Sequence, residues 1–501
     1  MSKTSDKDAL VSELKRVAMG RSLSGMPISF AKSLLQQMVA NPNKNTTSKN
    51  LSYSIYTKSN IISWLQNPKN NEKNIRNASN YLYISSMHYQ RLIKYYAGLL
   101  QWAYVISPLN FDKSKIKNSD TFKKQYLKVA HDLELMNIPQ TFQNIVTITL
   151  REGAYYGVRR SDKNSTFIQQ IDPDICKITY ISDGVFFYAV DMSQLKEADL
   201  EFYPPEFTDM YKEYVRTQVK WQDVPWDISI CMKADETTML YSIPPFAATL
   251  PSLYTIANAE SLQETSDELD NYKMLSAEIP IDEDGQPKIG WALAESYYTN
   301  ICNAVGENVG VAMTPFKLSE LTFEKSGALA DVDTLNRSIS NYWTTAGTSG
   351  LLHGVSNNTS GVTKLAIKND ESFIFTLLKQ AERVINRYLK ANFTGTIKFK
   401  ITFLPVTIFN REEYIKMYKE SVPFGIGKSH YLAVLGIPQY DVEGLSYLED
   451  DILNLDSHLT PLLNSHNASS DELNPGRPQS EDSDLTDSGE ATRDDDTNSN
   501  R

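Results

Sequence analysis

The chain has 501 residues, of which 41% are hydrophobic and 11% aromatic, and its formal net charge is −11. A chain of this length exceeds one hydrophobic core, so we expect about two to four domains. The acidic balance argues against a protein that wraps nucleic acid on a basic surface. Cys176, Cys231 and Cys302 stand apart without a CxxC pair, which fits a reducing compartment and argues against a cysteine-based zinc site.

The two ends of the chain differ in composition. The opening residues, MSKTSDKDALVSELKRV, carry charges throughout and lack the apolar core of a signal peptide. No run of about 18 apolar residues occurs, so we expect no membrane span. Residues 466–501 hold ten acids and three bases, with no Val, Ile, Met or aromatic residue. Such a segment cannot bury enough apolar surface to offset the entropy of ordering, so we predict a disordered acidic tail.

The first predicted elements are helices. DALVSELKRVAMG has a helical pattern and precedes a polar linker, and short helices broken at NPKNNEKN follow over residues 52–83. A longer helix is predicted over SSMHYQRLIKYYAGLLQWAYVI, because its apolar residues recur at the helical period: Leu92, Tyr96, Leu99 and Leu100. TFKKQYLKVAHDLELMN predicts the next helix.

From residue 150 to 241 the pattern favours strands. REGAYYGVRR, TFIQQIDP, ICKITYIS and VFFYAVDM are predicted strands, and SDG at 182–184 predicts a hairpin turn. One helix, PEFTDMYKEYVRT, interrupts them. We therefore predict an α+β fold with an antiparallel sheet in this part of the chain.

Two long helices flank a small module in the next part of the chain. The first is predicted over 251–275, with Leu262, Thr265, Leu269 and Tyr272 on one face and Glu260, Glu264, Asp267 and Asn271 on another. The module consists of a strand and turn at SAEIPIDEDG, a helix at GWALAESYYTNICNAV, and strands at VGVAMTPF and LTFEK. The second helix contains ADVDTLNRSISNYW, with Val332, Leu335, Ile339 and Tyr342 on one face.

A span rich in Gly, Ser, Thr and Asn follows the second helix over residues 344–370, and it is nearly free of charge until Lys364. Asn369 and Asp370 suit the N-terminus of a helix over ESFIFTLLKQAERVINRYLKANF. A strand, TIKFKITFLPV, and three shorter helices ending in LSYLEDDILNL complete the ordered part.

Patterns typical of catalysis are weak. GIGKSH, residues 425–430, resembles the end of a phosphate-binding loop, but Val422 stands where the first Gly is required and a helical segment precedes it. A turn between helices explains it better. The six histidines have no partner at metal-ligand spacing, and no GxSxG or HExxH motif occurs. We therefore expect no catalytic, metal or cofactor site.

The distribution of charge is unusual. Residues 247–316 hold eleven acids and two bases, Lys273 and Lys288. An acidic helix face is often only a solvated surface. The functional alternative is that several such helices line a channel, because a negative wall repels phosphates and lets nucleic acid pass without binding.

The layout resembles the portal proteins of tailed bacteriophages, in the group of about five hundred residues. The resemblance covers nearly the whole chain, and its specificity lies in the order of several segments over about four hundred residues. These segments are YTKSNIISWLQNPKNNEKNIRNASNYLYISSMHYQRLIKYYAGLL, LREGAYYGV, IDPDICKITYISDGVFFYAVDMSQL, IPPFAATLPSLYTIANAESL, TAGTSGLL with TKLAIKNDESFIFTLLKQAERVINRYL, and VTIFNREEYIKMYKESVPFGIGKSHYLAVLGIPQYDVEGLSYLEDDIL before the acidic tail.

The resemblance implies an α+β portal fold with named parts. These are an α/β wing at 1–245 and 369–425, stem helices at 246–276 and 328–346, a small α/β clip at 277–327, a tunnel loop at 347–368, a helical crown at 426–465 and the acidic tail. It implies a homo-oligomeric ring, usually of twelve subunits, at one capsid vertex of a virion assembled in the host cytoplasm. Double-stranded DNA would pass through the channel during packaging and ejection.

The resemblance also implies partners and residue roles. The partners are the terminase large subunit, which would hydrolyse the ATP, the major capsid and scaffolding proteins, and a head-completion adaptor, with no membrane. Channel-lining residues would be Glu260, Glu264, Asp267 and Asn271, and docking residues in the clip Asp282, Glu283, Asp284 and Glu295. DNA-proximal residues would be Gly350, His353, Gly354, Asn357, Asn358, Gly361 and Lys364. Because His353 and Lys364 are taken as its only possible cations, we expect the loop to act as a valve rather than to grip DNA.

Two other classes of protein remain open at this point. A capsid or connector protein without a DNA channel should lack two long helices around a small module. A metal-dependent enzyme that processes nucleic acid should show a carboxylate cluster.

Overall fold

The computed structural model describes residues 55–109, 119–161, 165–239, 241–271, 273–278, 288–289, 291–304, 309–314, 328–348, 360–393, 395 and 397–455. These residues mix helices with small sheets, which confirms the predicted α+β class. The predicted helix at 8–20, the predicted strand at 321–325 and the predicted disordered tail at 466–501 lie outside the described residues.

Helices dominate the described residues, and several begin or end at residues suited to that position. Thr57 caps the first helix by accepting a hydrogen bond from the amide of Asn60 at 3.2 Å. The α-helices are α1 Lys58–Gln66, α2 Glu72–Ser85, α3 Met87–Gly98, α4 Ser119–Leu135, α5 Ile138–Glu152, α6 Pro205–Thr217, α7 Leu250–Asn271, α8 Trp291–Ala304, α9 Ala328–Ala346, α10 Ser360–Asn392, α11 Arg411–Ser421, α12 Lys428–Leu435 and α13 Asp441–Ser446.

The strands are β1 Tyr104–Leu109, β2 Ala154–Ser161, β3 Thr166–Gln170, β4 Cys176–Ser182, β5 Val185–Asp191, β6 Trp221–Asp223, β7 Ser229–Lys233, β8 Lys273–Glu278, β9 Val309–Thr314 and β10 Lys398–Phe403. The sequence predicts one antiparallel sheet over residues 150–241. Strands β2 to β7 instead form two separate three-stranded sheets, in the orders β3-β2-β7 and β4-β5-β6. β1 pairs antiparallel with β10, and β8 pairs parallel with β9.

Two hydrophobic cores share strand β5, whose side chains alternate between them. Val185 and Phe187 lie in the main core with the helices α2, α3, α5 and α10, whereas Phe186, Tyr188 and Val190 lie in a second core with helix α6. The Tyr188 hydroxyl donates to the carbonyl of Gly157 at 2.8 Å and so joins the two small sheets. A strand buried on both faces explains the continuous apolar run VFFYAV.

Side-chain amides close the open edges of three strands. Gln380 of α10 accepts from the amide of Lys233 at 3.0 Å and donates to its carbonyl at 2.8 Å. Asn386, two turns later, makes the same pair of bonds with Ile401 of β10, at 2.8 and 2.9 Å. Gln439 accepts from the amide of Ile106 at 3.0 Å on the other edge of the β1–β10 pair. Because buried backbone groups without partners are costly, these amides replace missing strands.

The predicted helix over residues 85–106 is too long at its C-terminal end. It ends at Gly98, and Trp102 takes a left-handed backbone conformation with φ of 54° before the chain enters β1. The β-branched residues Val105 and Ile106 then pair with β10. The helical spacing of Leu99 and Leu100 was therefore misleading, because both are buried beyond the end of the helix.

Sequence analysis missed one helix and placed the start of another wrongly. Helix α5, over residues 138–152, was not predicted, although Pro139 stands in its first turn. Helix α10 runs for 33 residues from Ser360, so Asn369 and Asp370 lie in its interior and not at its N-terminus. Lys364, Leu365, Ala366 and Lys368 favour a helix and outweigh the β-branched residues among them, and Gly361 is tolerated in the first turn.

The turn between β4 and β5 requires glycine. Asp183 and Gly184 both have positive φ, 55° and 71°, which confirms the predicted hairpin. A Cβ on Gly184 would lie 2.9 Å from Cδ of Arg383. We therefore expect Gly184→Ala to lower the free energy of unfolding by about 1 kcal/mol or more. Denaturant titration followed by circular dichroism measures it.

Gly98→Ala is the matched control for that substitution. A Cβ there meets nothing within 4 Å, and the residue is helical. It should raise the free energy of unfolding by about 0.4–1 kcal/mol. Equal effects of the two substitutions would contradict the conformational explanation.

Candidate functional site

Helices α7 and α9 form an antiparallel pair that is anchored in the main core at one end. The start of α7 and the end of α9 are buried together, through Leu250, Leu253, Ile256, Tyr342, Trp343 and Ala346. Leu335 and Ile339 pack against the same core, so the predicted apolar face of the second helix is confirmed at these positions and at Tyr342. The far ends of the pair are therefore the ends joined to the module between them.

His88 of α3 lies against the anchored end of α9. Its ring centroid is 6.0 Å from those of Tyr342 and Trp343, and the latter two rings meet at 5.0 Å with their planes nearly perpendicular. Edge-to-face aromatic contacts of this kind fix the direction in which a helix leaves a core. Burial and the positive charge of Arg91 lower the pKa of His88 below its ordinary value of 6.5.

The polar face of α7 begins where the helix leaves the core. Glu260 is exposed, and Glu264, Asp267 and Asn271 follow in the same helix at the spacing predicted from the sequence. On the other predicted face, Leu262 is 65% exposed in the single chain. For residues 264–271 the structure describes the backbone, which places Glu264, Asp267 and Asn271 in helix α7.

The module between the two helices contains a parallel β8–α8–β9 unit. Lys273 is in register with Val309, and Glu278 with Thr314. Glu295 lies on α8. Asp282, Glu283 and Asp284 fall outside the described residues, so their predicted place in a docking turn is untested.

The glycine-rich span is shorter than predicted. Gly350, His353, Gly354, Asn357 and Asn358 lie outside the described residues. Gly361 and Lys364 belong to helix α10, which corrects their assignment to a loop.

Sequence analysis missed Lys368 as a third cation of this span. It lies one helical turn after Lys364, and both are exposed, as is Leu365 at 71%. The spacing of four residues would have revealed the pair had the helix been predicted to begin at residue 360.

Helix α10 enters the main core at Asp370. Its carboxylate accepts hydrogen bonds from the hydroxyls of Tyr95 and Tyr96, both at 2.9 Å. Burial and the neighbouring charge of Glu371 raise the pKa of Asp370, and the two tyrosine hydrogen bonds oppose that shift. The Tyr96 ring lies 5.0 Å from Phe246, just before α7, and 5.3 Å from Phe373. One aromatic cluster thus holds the segment just before α7 and the part of α10 that follows Asp370.

The described residues hold no metal cluster, phosphate-binding loop or membrane-spanning helix. In the described part of the chain, no group of three or more His, Cys, Asp or Glu residues is placed to hold a metal ion. Gly425 and Gly427, from the GIGKSH sequence, lie in a turn between two helices, as expected. No described helix combines the length and the apolar character needed to cross a bilayer.

No protein-family model matches the chain, and no curated protein is similar to it. Among solved structures, the chain is similar to a chain in the neck of a native GTA particle computed with C12 symmetry. The two share 14% identity, with 74% of this chain and 94% of that chain covered, at a TM-score of 0.41. A chain in the neck of an empty GTA particle computed with C6 symmetry shares 13% identity, with 69% and 93% covered, at a TM-score of 0.40. Scores of this size do not establish a common fold.

The lowered pKa of His88 predicts a pH dependence of stability. The unfolded chain binds a proton at His88 at higher pH than the folded chain does. This contribution to stability is therefore complete above about pH 6.5 and is lost as pH falls through the lower folded value. We expect the wild type to lose stability relative to His88→Gln between about pH 7.5 and pH 5. Denaturant titrations of both proteins at each pH measure the difference, and a difference that does not change with pH would contradict the assignment.

Proposed function

We propose that the protein is a portal protein, which forms a ring at one capsid vertex of a tailed phage and conducts double-stranded DNA. The observation that carries this proposal is the antiparallel pair α7–α9, with one end anchored in the main core and the β8–α8–β9 module between the far ends. In a ring, such pairs stand side by side as the wall of a shaft. The module would then lie at one end of the shaft and the core domains around the other.

The electrostatics of the helix pair support a conduit rather than a binding site. Glu260 is exposed, and the acids that follow on α7 belong to a region with eleven acids and two bases. A wall of this charge repels phosphates, so DNA slides without being held by counterion release. Twelve copies would multiply the charge of −11 of each chain into a strongly negative body.

Helix α10 supports a separate role for the segment after the helix pair. Its first turns carry Lys364 and Lys368, both exposed, and they project from the point where Asp370 fixes the helix to α3. In a ring these cations would lie beside the glycine-rich residues 349–359. Two lysines per subunit would bind DNA phosphates briefly. The segment would then act as a valve, as expected from the sequence, with two lysines on a helix in place of one on a loop.

The remaining parts of the proposal concern partners. The module would dock the terminase large subunit during packaging and a head-completion adaptor afterwards, through Glu295 and the acids at 282–284. The wing would meet the major capsid and scaffolding proteins and so start procapsid assembly. The protein itself would need no cofactor, because ATP hydrolysis belongs to the terminase.

The ring is tested by the purified protein itself. Negative-stain images should show rings with a central hole, and light scattering after gel filtration should give about twelve times the chain mass of 56.7 kDa. A closed ring is expected because head-to-tail contacts between identical subunits close when the rotation permits. Monomers, sheets or open filaments would contradict the proposal and favour a connector without a channel.

The anionic wall predicts the behaviour of a charge-reversed ring. Replacing Glu260, Glu264 and Asp267 by Lys should make rings retain linear duplex DNA at about 0.15 M salt, with retention falling steeply as salt rises. Wild-type rings should release the DNA under the same conditions. Filter binding over a salt series measures both.

The matched control replaces three acids of the wing by Lys, namely Glu197, Glu201 and Glu236, which are exposed. It gives the same change in total charge at a distance from the helix pair. If both triple variants retain DNA equally, total charge explains the effect and the wall has no special role.

A further inference from the structure

The turn between α11 and α12 presents two large apolar side chains to solvent. Phe424 is 80% exposed and Ile426 is 68% exposed, and these two side chains form the knob. Gly425 and Gly427 have φ of 80° and 75°, so the backbone that displays these side chains is set by two left-handed glycines. Single exposed apolar residues are common on protein surfaces, but two on one fixed turn, with a single glycine between them, are suited to contact.

A cleft lined by both apolar and polar side chains lies at the other end of α12. It has a volume of about 470 Å³ and separates α4 from the segment that follows Gln439. Its apolar lining comes from Tyr126 and Leu127 of α4 and from Val442 and Tyr447 opposite, with Glu443 and Asp451 as acidic members. Tyr447 is 59% exposed, so the cleft is open to a side chain from outside.

The residues that flank the knob and those that form one wall of the cleft carry net charges of opposite sign. Residues 416–428, which flank the knob, hold three lysines and one acid, Glu420. Residues 441–455, which form one wall of the cleft, hold five acids and no base. Lys123 of α4 pairs with one of them, Glu443, which leaves that wall acidic. Complementary charge of this kind selects the partner and its orientation.

The knob cannot enter the cleft of its own chain. Helix α12 separates them with eight residues, or about 12 Å, and its residues Ala433 and Val434 are buried against β1 and the segment after β10. The cleft end is fixed as well, because Gln439 is hydrogen-bonded to the backbone of β1. Both features therefore keep their separation, so the knob can enter such a cleft only on another molecule.

We propose that the knob of one chain inserts into the cleft of a second copy of the same chain. The inference rests on the proposed ring, and it names a contact that would hold successive subunits together. Two different patches on one molecule that fit each other make a head-to-tail interface, which is the type that closes into a ring. The knob buries too little surface to hold two chains alone, so it acts as the anchor of a larger contact.

Disulfide trapping tests the contact directly. Rings are assembled from chains that carry Ile426→Cys, Tyr447→Cys or both, then oxidised and separated on a non-reducing gel, with wild type as the reference for the native cysteines. The double variant should give a ladder of covalent oligomers up to the full ring. A mixture of the two single variants should give dimers and nothing larger, because each chain then forms one bond.

Removing the knob tests its contribution to assembly. Phe424→Ser with Ile426→Ser should raise the concentration needed for half-assembly by at least about tenfold, since two buried apolar side chains are lost per contact. Val215→Ser on α6, where the side chain is 55% exposed, is the control and should change it little.

The results of these experiments distinguish a failure of the proposed contact from a failure of the proposed ring. The proposed contact is wrong if rings form normally but the double cysteine variant gives no ladder. It is also wrong if removal of the knob leaves the half-assembly concentration unchanged, and the knob would then bind a different protein. A fast-migrating monomer in the double variant would show bonding within one chain and would also overturn it. Absence of rings in the wild type would overturn the proposed function, and the contact with it.

Discussion

The pairing of a few side-chain amides with backbone groups organises the described structure. The sheets have two or three strands, and such small sheets leave most of their edges open. Gln380 and Asn386, both on α10, each satisfy the amide and the carbonyl of one edge residue. Helix α10 thereby acts as a neighbouring strand to two sheets at once, and the chain can build a stable body without a large sheet.

This arrangement ties distant parts of the chain to one rigid element. Along α10, Asp370 fixes α3, Phe373 lies in the aromatic cluster at the base of α7, Gln380 holds β7 and Asn386 holds β10. The helix pair α7–α9 is anchored in the same core. A displacement at the N-terminal end of α10 would therefore be felt at the base of the helix pair and at two sheets, because packed cores transmit strain.

Sequence reasoning succeeded where a local pattern and the tertiary environment agree. The amphipathic helices, the hairpin at Asp183 and Gly184 and the long helices around the module were predicted because spacing and turn chemistry decide them. It failed at Leu99 and Leu100, whose helical spacing continues past the end of α3. It also failed at Ser360, since composition rich in Gly, Ser and Thr favours a loop although the chain continues as a helix.

The helices of the candidate site could be predicted from the sequence, but the side-chain contacts that hold them in the core could not. The acidic spacing of α7 and its partner helix are visible in the sequence, as are the glycines of the span that follows. The contacts that hold these elements, Asp370 with Tyr95 and Tyr96, and His88 with Trp343, join residues more than two hundred positions apart. No local pattern reveals such pairs. The glycines beside the knob are visible in the sequence as a turn, but no local pattern indicates how far Phe424 and Ile426 are exposed.

The amide closures also limit which substitutions the small sheets can accept at their edges. Asn and Gln are the uncharged side chains that offer a donor and an acceptor side by side, which is what one edge residue requires. An acid at Gln380 would set a carboxylate against a carbonyl, and an aliphatic side chain would leave both backbone groups unsatisfied. The sheet surfaces can therefore accept many substitutions, whereas Gln380 and Asn386 accept few besides another side-chain amide.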